Sequence, residues 1–236
     1  MQQKKNRREI KYQLSHAEYL VIKNRLSLLL DYDRHAGEKG YFVRTIYFDD
    51  IKETAYQEKV AGVFDRRKYR IRAYNNDPSY INLECKEKYN RWVLKNVARI
   101  DENTCEALLN GDASVLEHRD EDVLKAFYSA AKEAGLTSRI TVDYHREAFV
   151  YPASNLRVTF DKNLRAGGLA GFSIVAPKDK EELSIPVYLN NSVIMEIKFD
   201  DFMPEIIRSV IPHETGKPLS ISKYRMCMSV AKALKA

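Results

Sequence analysis

Charged and apolar residues alternate one for one in several segments of this sequence, and this alternation constrains the fold more than any other feature. Residues 66–74 read Arg-Arg-Lys-Tyr-Arg-Ile-Arg-Ala-Tyr. Successive side chains of a strand point to opposite faces, so Lys68, Arg70 and Arg72 share one face and apolar residues share the other. Eight further segments are predicted as strands: 7–14, 41–48, 55–61, 79–88, 91–100, 137–150, 155–161 and 185–199.

Helical signals separate these strands. Ser15-His-Ala-Glu18 is a capping box, which predicts a helix from there to about Leu30. Gly135 is placed to end a second helix. The mixed order of strands and helices predicts an α+β fold of one domain over residues 1–236, with helices packed outside a sheet or barrel. The predicted helices after the first cover 102–110, 120–134, 201–210 and 221–234.

The strand faces carry more positive than negative charge. The whole chain has 39 Lys and Arg against 33 Asp and Glu, but on the charged strand faces nine cations accompany only three carboxylates, Glu9, Glu84 and Glu196. A solvated outer face explains one such strand, whereas like charges facing each other on neighbouring strands destabilise a sheet. We therefore expect a polyanion inside a concave or closed sheet. The nine cations are Lys11, Lys68, Arg70, Arg72, Lys86, Lys88, Arg146, Arg157 and Lys198.

Several classes of protein are excluded by missing patterns. No apolar run approaches the roughly 20 residues that span a bilayer, and no apolar segment of a signal peptide follows the basic N-terminus. Three scattered cysteines and five histidines show no metal-ligand spacing. Gly216-Lys217 is followed by Pro218, which excludes a P-loop. We therefore expect a cytoplasmic protein without a transmembrane segment.

Eight short motifs, in this order along the chain, resemble the polyphosphate polymerase domain of the vacuolar transporter chaperone (VTC) family, within the triphosphate tunnel (CYTH-like) superfamily. Lys68–Tyr74 resembles the family's K-x-R-x-R-x-Y strand, and Ser220–Tyr224 resembles its S-x-S-K-Y signature. Together the eight motifs are specific to the VTC family. The other six are Arg8–Tyr12, Arg44–Asp50, Glu84–Lys86, Tyr144–Phe149, Arg157–Asp161 and Met195–Lys198.

The resemblance implies an eight-stranded antiparallel β-barrel tunnel that binds a nucleotide triphosphate together with Mn²⁺ or Mg²⁺. It implies transfer of the γ-phosphate of ATP to a growing polyphosphate chain. ATP and polyphosphate are therefore the expected partners, and DNA is not expected to bind. The resemblance does not decide whether the protein has a membrane partner. Glu196 is the implied metal ligand, and Tyr144, Lys198 and Ser222 are the implied substrate-binding residues. The implied catalytic residues, which contact phosphates, are Lys11, Arg70, Arg72, Lys86, Arg146, Arg157 and Lys223.

Two other functions stay open at this point. A triphosphatase could use the same fold, although superfamily relatives of that type have a more acidic tunnel. A non-catalytic module that binds polyphosphate or RNA would also fit the charge, but the 15 tyrosines are spread over many segments rather than gathered as a stacking platform. Glu9 and Glu84 are expected to pair with Lys or Arg rather than to hold a metal. Lys68 and Lys88 are expected at strand ends as solvated charges.

Overall fold

The computed structural model describes residues 7–89, 92–168, 171–175, 184–188, 190–211 and 217–234. Within them the strands are β1 (Arg7–Leu14), β2 (Asp31–Tyr32), β3 (Tyr41–Asp49), β4 (Arg66–Tyr74), β5 (Ile81–Tyr89), β6 (Trp92–Ile100), β7 (Thr137–Tyr151), β8 (Leu156–Gly167), β9 (Ile185–Pro186) and β10 (Val193–Asp200). The α-helices are α1 (His16–Ser27), α2 (Thr54–Ala61), α3 (Glu102–Leu109), α4 (Asp122–Ala134), α5 (Glu205–Val210) and α6 (Lys223–Ala233). Among these helices, none combines the length and the apolar character that crossing a bilayer requires.

Eight of the strands follow one another by hydrogen bonding in the order β1-β10-β8-β7-β3-β4-β5-β6. The two short strands are added at the side, β2 on β7 and β9 on β8. The registers of β1 with β10, of β10 with β8, and of β3 through β6 are all antiparallel. The predicted α+β fold, with an eight-stranded antiparallel sheet and accompanying helices, is confirmed.

The chain forms two compact units. The first unit comprises Met1–Tyr41, Tyr144–Leu164 and Tyr188–Ser222, and the second comprises Phe42–Asp143, Arg165–Val187 and Lys223–Ala236. Strands β7 and β8 contribute residues to both units. The prediction of one domain over residues 1–236 stays a prediction.

The core of the first unit lies between its strands and helices α1 and α5. The apolar face of β10, including Met195 and Ile197, packs in one cluster with Ile22 and Leu26 of α1. Helix α1 begins as predicted, because the Ser15 hydroxyl accepts the N–H of residue 18 at 3.2 Å while the carboxylate there accepts the Ser15 N–H at 2.7 Å. The charged residues of β10 consequently lie on the face opposite this core.

The core of the second unit lies between strands β3 to β6 and helices α3 and α4. Phe127 of α4 makes edge-to-face contacts with Phe48 and Tyr69, with ring centroids 5.0 and 5.4 Å apart. Ile71 and Leu83 are fully buried in the same cluster. Because these residues occupy one face of β4 and β5, the basic residues between them are placed on the other face, as the alternation predicts.

Residues 55–61 were expected as a strand, and the structure shows that this prediction is wrong, because they lie in α2. The first N–H groups of the helix are satisfied by carboxylates from the preceding strand end. Asp49 accepts the N–H groups of Ala55 and Tyr56 at 2.9 and 3.0 Å, and Asp50 accepts that of Thr54 at 3.0 Å. These donors would otherwise be unpaired at a helix N-terminus. The cap comes from several residues upstream, so the local sequence pattern does not show it.

Other predicted segments differ in their boundaries. The predicted strand over 185–199 is two strands, β9 and β10, and β8 continues through Gly167 instead of ending at 161. The sequence also predicts a turn at Tyr89-Asn90, which lies partly outside the described residues, because position 90 is not described. The remaining long strands and helices agree with the prediction to within a few residues.

Gly40 is a position where a side chain should disturb the first unit. Its φ is +73°, and an added Cβ would overlap the carbonyl oxygen of Arg146 and lie 2.9 Å from His145 Cε1. We expect Gly40→Ala to lower the free energy of unfolding by about 2 kcal/mol or more in chemical denaturation. Gly37→Ala is the matched control, because Gly37 also has a positive φ but has open space around it. In the control the free energy of unfolding should fall by only about 1 kcal/mol, which is the cost of a left-handed backbone for a residue with a Cβ. Equal decreases in the two variants would contradict this explanation.

Candidate functional site

A buried carboxylate, Glu84 of β5, organises the charged face of the second unit. Its side chain is 1% exposed, and it is contacted by three cations. Arg70 approaches through Nε and Nη2 at 2.6 Å, Lys95 through Nζ at 2.6 Å, and Arg72 through Nη1 at 3.7 Å. One negative charge therefore holds three positive charges, which leaves the cluster with an excess of positive charge. Lys95 was not predicted as a site residue.

The two arginines are also held by the neighbouring strand β3. Arg70 is opposite Tyr47 and Arg72 is opposite Thr45 in the β3–β4 register. Arg70 Nη1 donates to the Tyr47 hydroxyl at 3.1 Å, and Arg72 Nε donates to Thr45 Oγ1 at 3.0 Å. Burial would raise the pKa of Tyr47, but the two guanidinium groups outweigh burial and lower it. The arginines are thus fixed in position by partners on both adjacent strands.

The electrostatics of Glu84 follow from its surroundings. Burial alone would raise its pKa, but the charges of Arg72, Arg70 and Lys95 outweigh burial and lower the pKa to about 2. The carboxylate is therefore ionised at neutral pH and is saturated by its basic neighbours. The predicted pairing of Glu84 with Lys and Arg is confirmed by these contacts.

Basic residues continue along the same face of β4 and β5. The register places Lys68 opposite Lys86 and Arg66 opposite Lys88. The ammonium group of Lys68 lies 4.8 Å from the centroid of the Tyr224 ring. Burial, followed by the nearby charges of Arg66 and other cations, lowers the pKa of Lys68 to about 7. Lys68 is thus not the solvated charge that was expected, and an anion at this face would relieve the repulsion.

Helix α6 brings Lys223 to the second unit at its first residue. The next residue, Tyr224, donates its hydroxyl hydrogen to Asp49 at 2.5 Å, and its ring lies 4.9 Å from that of Tyr47. Asp49 also holds the N-terminus of α2, so one carboxylate ties two helices to the end of β3. Sequence reasoning missed this contact, although Asp49 and Tyr224 both lie within the quoted motifs.

The charged face of the first unit is organised by Glu196 of β10. Its Oε1 lies 2.5 Å from Lys198 Nζ, and its Oε2 lies 3.3 Å from Lys11 Nζ. Glu9 contacts the same two lysines, at 2.8 Å from Lys11 and 4.0 Å from Lys198. Burial would lower the pKa of Lys11, but the carboxylates of Glu196 and Glu9 outweigh burial and raise it.

Each predicted arginine of the first unit has a carboxylate of its own. Arg146 donates through Nε and Nη2 to both oxygens of Asp161, at 2.6 and 2.8 Å. The guanidinium of Arg146 also lies 5.2 Å from the ring centroid of Tyr144. Arg157 Nε donates to Asp33 at 3.0 Å. Burial would lower the pKa of Arg146, but Asp161 reverses this effect and raises it.

The two charged faces therefore differ in their balance. Among the described residues, four cations of the first unit contact four carboxylates, whereas in the second unit the single carboxylate of Glu84 contacts three cations. The count of charged residues on the predicted strand faces did not include two of these carboxylates, Asp161 and Asp33. Asp161 could have been found, because it lies four residues after Arg157 on the same strand face. Asp33 follows β2 in a loop, where no periodic pattern identifies it.

Glu196 is the residue that the sequence resemblance implies as a metal ligand. Within the described part of the chain, no group of three or more His, Cys, Asp or Glu side chains is arranged to hold a metal. Mg²⁺ and similar hard cations commonly take one or two carboxylates and complete their shell with water and substrate phosphates. The buried oxygens of Glu196, held at present by flexible lysines, fit such a one-carboxylate site.

The predicted site residues divide between the two units. Those in the first unit are Lys11, Tyr144, Arg146, Arg157, Glu196, Lys198 and Ser222. Those in the second unit are Arg70, Arg72, Lys86 and Lys223. Except for Ser222 and Lys223, which lie just before and at the start of α6, all of them lie on strands.

The pairing of Glu84 predicts a pH-dependent stability. A carboxyl whose pKa is lower in the folded than in the unfolded chain stabilises the fold above its ordinary pKa, near 4.5 here. This stabilisation is lost as the pH falls from about 4.5 toward 2. We expect Glu84→Gln to lower the free energy of unfolding by about 3 kcal/mol at pH 7. The difference in free energy of unfolding between this variant and wild type should become smaller below about pH 4.5.

Denaturant titrations between pH 2 and 7 measure this effect. Glu87→Gln is the matched control, because Glu87 lies on the other face of β5 and pairs with the largely exposed Arg67. The control should cost less than about 1 kcal/mol at pH 7. A difference between Glu84→Gln and wild type that stays constant over the whole pH range would show that the Glu84 charge is not what stabilises the cluster.

Comparison with known proteins identifies the family to which this chain belongs. The VTC domain model matches residues 6–232. A Bacillus halodurans protein, provisionally described as an adenylate cyclase, has 15% identity and a TM-score of 0.55, with 94% of this chain and 95% of that chain covered. A Pyrococcus horikoshii OT3 protein has 12% identity and a TM-score of 0.45, with 94% and 99% covered.

At these identities the Bacillus halodurans structure supports the fold alone, and the family assignment rests on the sequence model. No curated protein matches the sequence significantly. The family model covers nearly the whole chain, and its match agrees with the eight motifs and with the antiparallel sheet. The protein therefore belongs to the VTC domain family.

Proposed function

We propose that this protein is a metal-dependent ATP:polyphosphate phosphotransferase. The terminal phosphate of a polyphosphate chain attacks the γ-phosphorus of ATP, the bond from that phosphorus to the β,γ-bridging oxygen breaks, and ADP leaves. The observation that carries the proposal is the excess of positive charge on the second unit, where Glu84 holds Arg70, Arg72 and Lys95. Family membership supports the coarser statement that the ligand is a nucleotide triphosphate or polyphosphate.

The arrangement of the arginines suits phosphoryl transfer. This reaction needs positioning and neutralisation of charge more than a covalent catalyst. Arg70 and Arg72 are fixed by Glu84 and by hydroxyl groups of β3 before any ligand binds. Donors that are held in place need no reorganisation during the reaction, which makes them more effective in stabilising developing negative charge. Guanidinium groups also match phosphate oxygens in geometry.

The length of the basic face favours a chain as the ligand. Basic residues run along β4 from Arg72 to Arg66, and Lys86 and Lys88 lie opposite this row on β5. At about 3.3 Å per residue, the row extends over about 20 Å. A triphosphate is shorter than this row, whereas a polyphosphate chain could follow it. The acceptor phosphate is already ionised, so that the reaction needs no dedicated general base.

The first unit would supply the metal ligand. Glu196 would hold Mn²⁺ or Mg²⁺, and the ion would neutralise charge on the phosphates. The ammonium groups of Lys11 and Lys198, now on Glu196, would then turn to phosphate oxygens. Arg146 and Arg157 keep their carboxylate partners, which would fix their remaining N–H groups in direction.

A triphosphatase is the second candidate, and the first unit gives a specific reason for it. Its four carboxylates make this face more acidic than the sequence count indicated, and an acidic tunnel characterises the hydrolytic relatives. Each of these carboxylates, however, contacts a lysine or an arginine. This pairing offsets the negative charge of the face, so that the face is not the acidic one of the hydrolytic relatives, and the reaction products distinguish the two enzymes.

Incubation of the purified protein with ATP and Mn²⁺ tests the proposal. Gel electrophoresis resolves polyphosphate, and a colorimetric assay measures free phosphate, with and without a short polyphosphate primer. We expect long-chain polyphosphate and a matching amount of ADP. Free phosphate without polymer would establish the triphosphatase instead. Binding of ATP or polyphosphate without either product would reject both enzymes and leave a non-catalytic module.

Glu196→Gln should separate turnover from nucleotide binding. Loss of the carboxylate charge should lower kcat by about a hundredfold and raise the Mn²⁺ concentration needed for half-maximal rate. Affinity for ATP should be partly retained, because the basic residues of the second unit are unchanged. Steady-state rates over a range of Mn²⁺ concentrations measure both quantities.

Glu205→Gln is the control for this variant, since Glu205 is an exposed residue of α5 in the same unit. Its rate and Mn²⁺ dependence should match those of wild type. If Glu196→Gln shows an unchanged Mn²⁺ dependence, the metal binds elsewhere.

A further inference from the structure

Thr159 of β8 carries a buried hydroxyl group that makes no hydrogen bond to the described residues. The residue is 2% exposed, and within the described part of the chain its Oγ1 has no hydrogen-bond partner. Buried polar side-chain atoms are nearly always hydrogen-bonded, because an unmade hydrogen bond in a dry environment is costly. The hydroxyl therefore needs a specific explanation.

The position of Thr159 connects this hydroxyl with the charged face of the first unit. Residues two apart on a strand share a face, so Thr159 shares its face with Arg157 and Asp161. The register places Thr159 directly opposite Glu196, which is itself opposite Lys11. The apolar neighbours in sequence, including Val158, belong to the core on the other face.

The carboxylates on this strand face already contact cations. Both oxygens of Glu196 contact the ammonium groups of Lys11 and Lys198, and both oxygens of Asp161 accept from Arg146. Valine has nearly the same shape as threonine and would fill this position without an unpaired hydroxyl. A hydroxyl without a partner, on a face that carries four cations, is suited to an anionic oxygen that arrives with a ligand.

We propose that the Thr159 hydroxyl donates a hydrogen bond to a phosphate oxygen of the bound substrate, and is therefore a further substrate-binding residue. This inference rests on the proposed function in one respect, namely that the charged face of the first unit receives phosphate groups. It adds a further neutral donor to the implied substrate-binding residues, which already include Tyr144 and Ser222.

An anion can reach this hydroxyl through the lysines. The side chains of Lys11 and Lys198 are 19% and 30% exposed, so an anion from solvent meets their ammonium groups first. Long, flexible lysine side chains can follow the anion and leave Glu196, which opens the row toward Thr159. Arg146 and Arg157, each held by an aspartate, need not move.

Calorimetric titration with inorganic tripolyphosphate, in EDTA and in Mn²⁺, tests the proposal on the full chain. Thr159→Val removes the hydroxyl and keeps the shape, Thr159→Ser keeps the hydroxyl, and Thr137→Val is a control at an exposed position of β7. We expect Thr159→Val to bind on the order of tenfold more weakly in both buffers. Thr159→Ser and Thr137→Val should stay within about twofold of wild type.

Thermal unfolding of the ligand-free proteins supplies the second measurement. Because the hydroxyl makes no hydrogen bond to the described residues, Thr159→Val should unfold at a temperature no lower than wild type. A lower unfolding temperature would show a structural role and overturn the proposal. Equal tripolyphosphate affinity of Thr159→Val and wild type would overturn it as well.

The remaining outcomes also decide the question. A weakening seen only in Mn²⁺ would make the hydroxyl a metal ligand rather than a phosphate donor, and would overturn the proposal. Wild-type protein that does not bind tripolyphosphate would overturn it too. If the expected binding pattern is found but ATP yields no polymer, the phosphotransferase fails while the role of Thr159 is supported.

Discussion

The pairing of basic side chains with buried carboxylates across neighbouring strands is the interaction on which the charged faces depend. Glu84 keeps Arg70, Arg72 and Lys95 together on one sheet face, where three cations alone would repel one another. The same carboxylate accepts a hydrogen bond from Arg70. It therefore orients this guanidinium group as well as offsetting part of the positive charge. Removing it would therefore disturb stability and ligand geometry together.

The two units use this pairing in different proportions. The first unit pairs every named cation with a carboxylate, and within its described residues the buried hydroxyl of Thr159 has no hydrogen-bond partner. The second unit leaves positive charge in excess and places Lys68 opposite Lys86. Charge attraction for an anion would come mainly from the second unit. The first unit holds Arg146 and Arg157 in fixed directions through Asp161 and Asp33, and Glu196 is the metal ligand that we propose there.

The sequence predicts the elements that depend on local patterns and misses those that depend on distant partners. Alternation along a strand correctly separates Arg70 and Arg72 from the core, and the capping box at Ser15 locates the start of α1. Helix α2 was missed because its N-terminal N–H groups are satisfied by Asp49, which belongs to the preceding strand. Asp33 was missed for a similar reason, since its pairing with Arg157 joins positions far apart in sequence.

The dependence of stability on phosphate chain length tests most directly whether the basic row on β4 and β5 receives a chain. Thermal unfolding can be followed with pyrophosphate, tripolyphosphate and a longer polyphosphate, at equal total phosphate and constant ionic strength. A chain that follows Arg72 to Arg66 gains contacts as it lengthens, so the unfolding temperature should rise with chain length beyond the triphosphate. An unfolding temperature that stops rising at tripolyphosphate would contradict the polyphosphate interpretation and favour a site for a triphosphate alone.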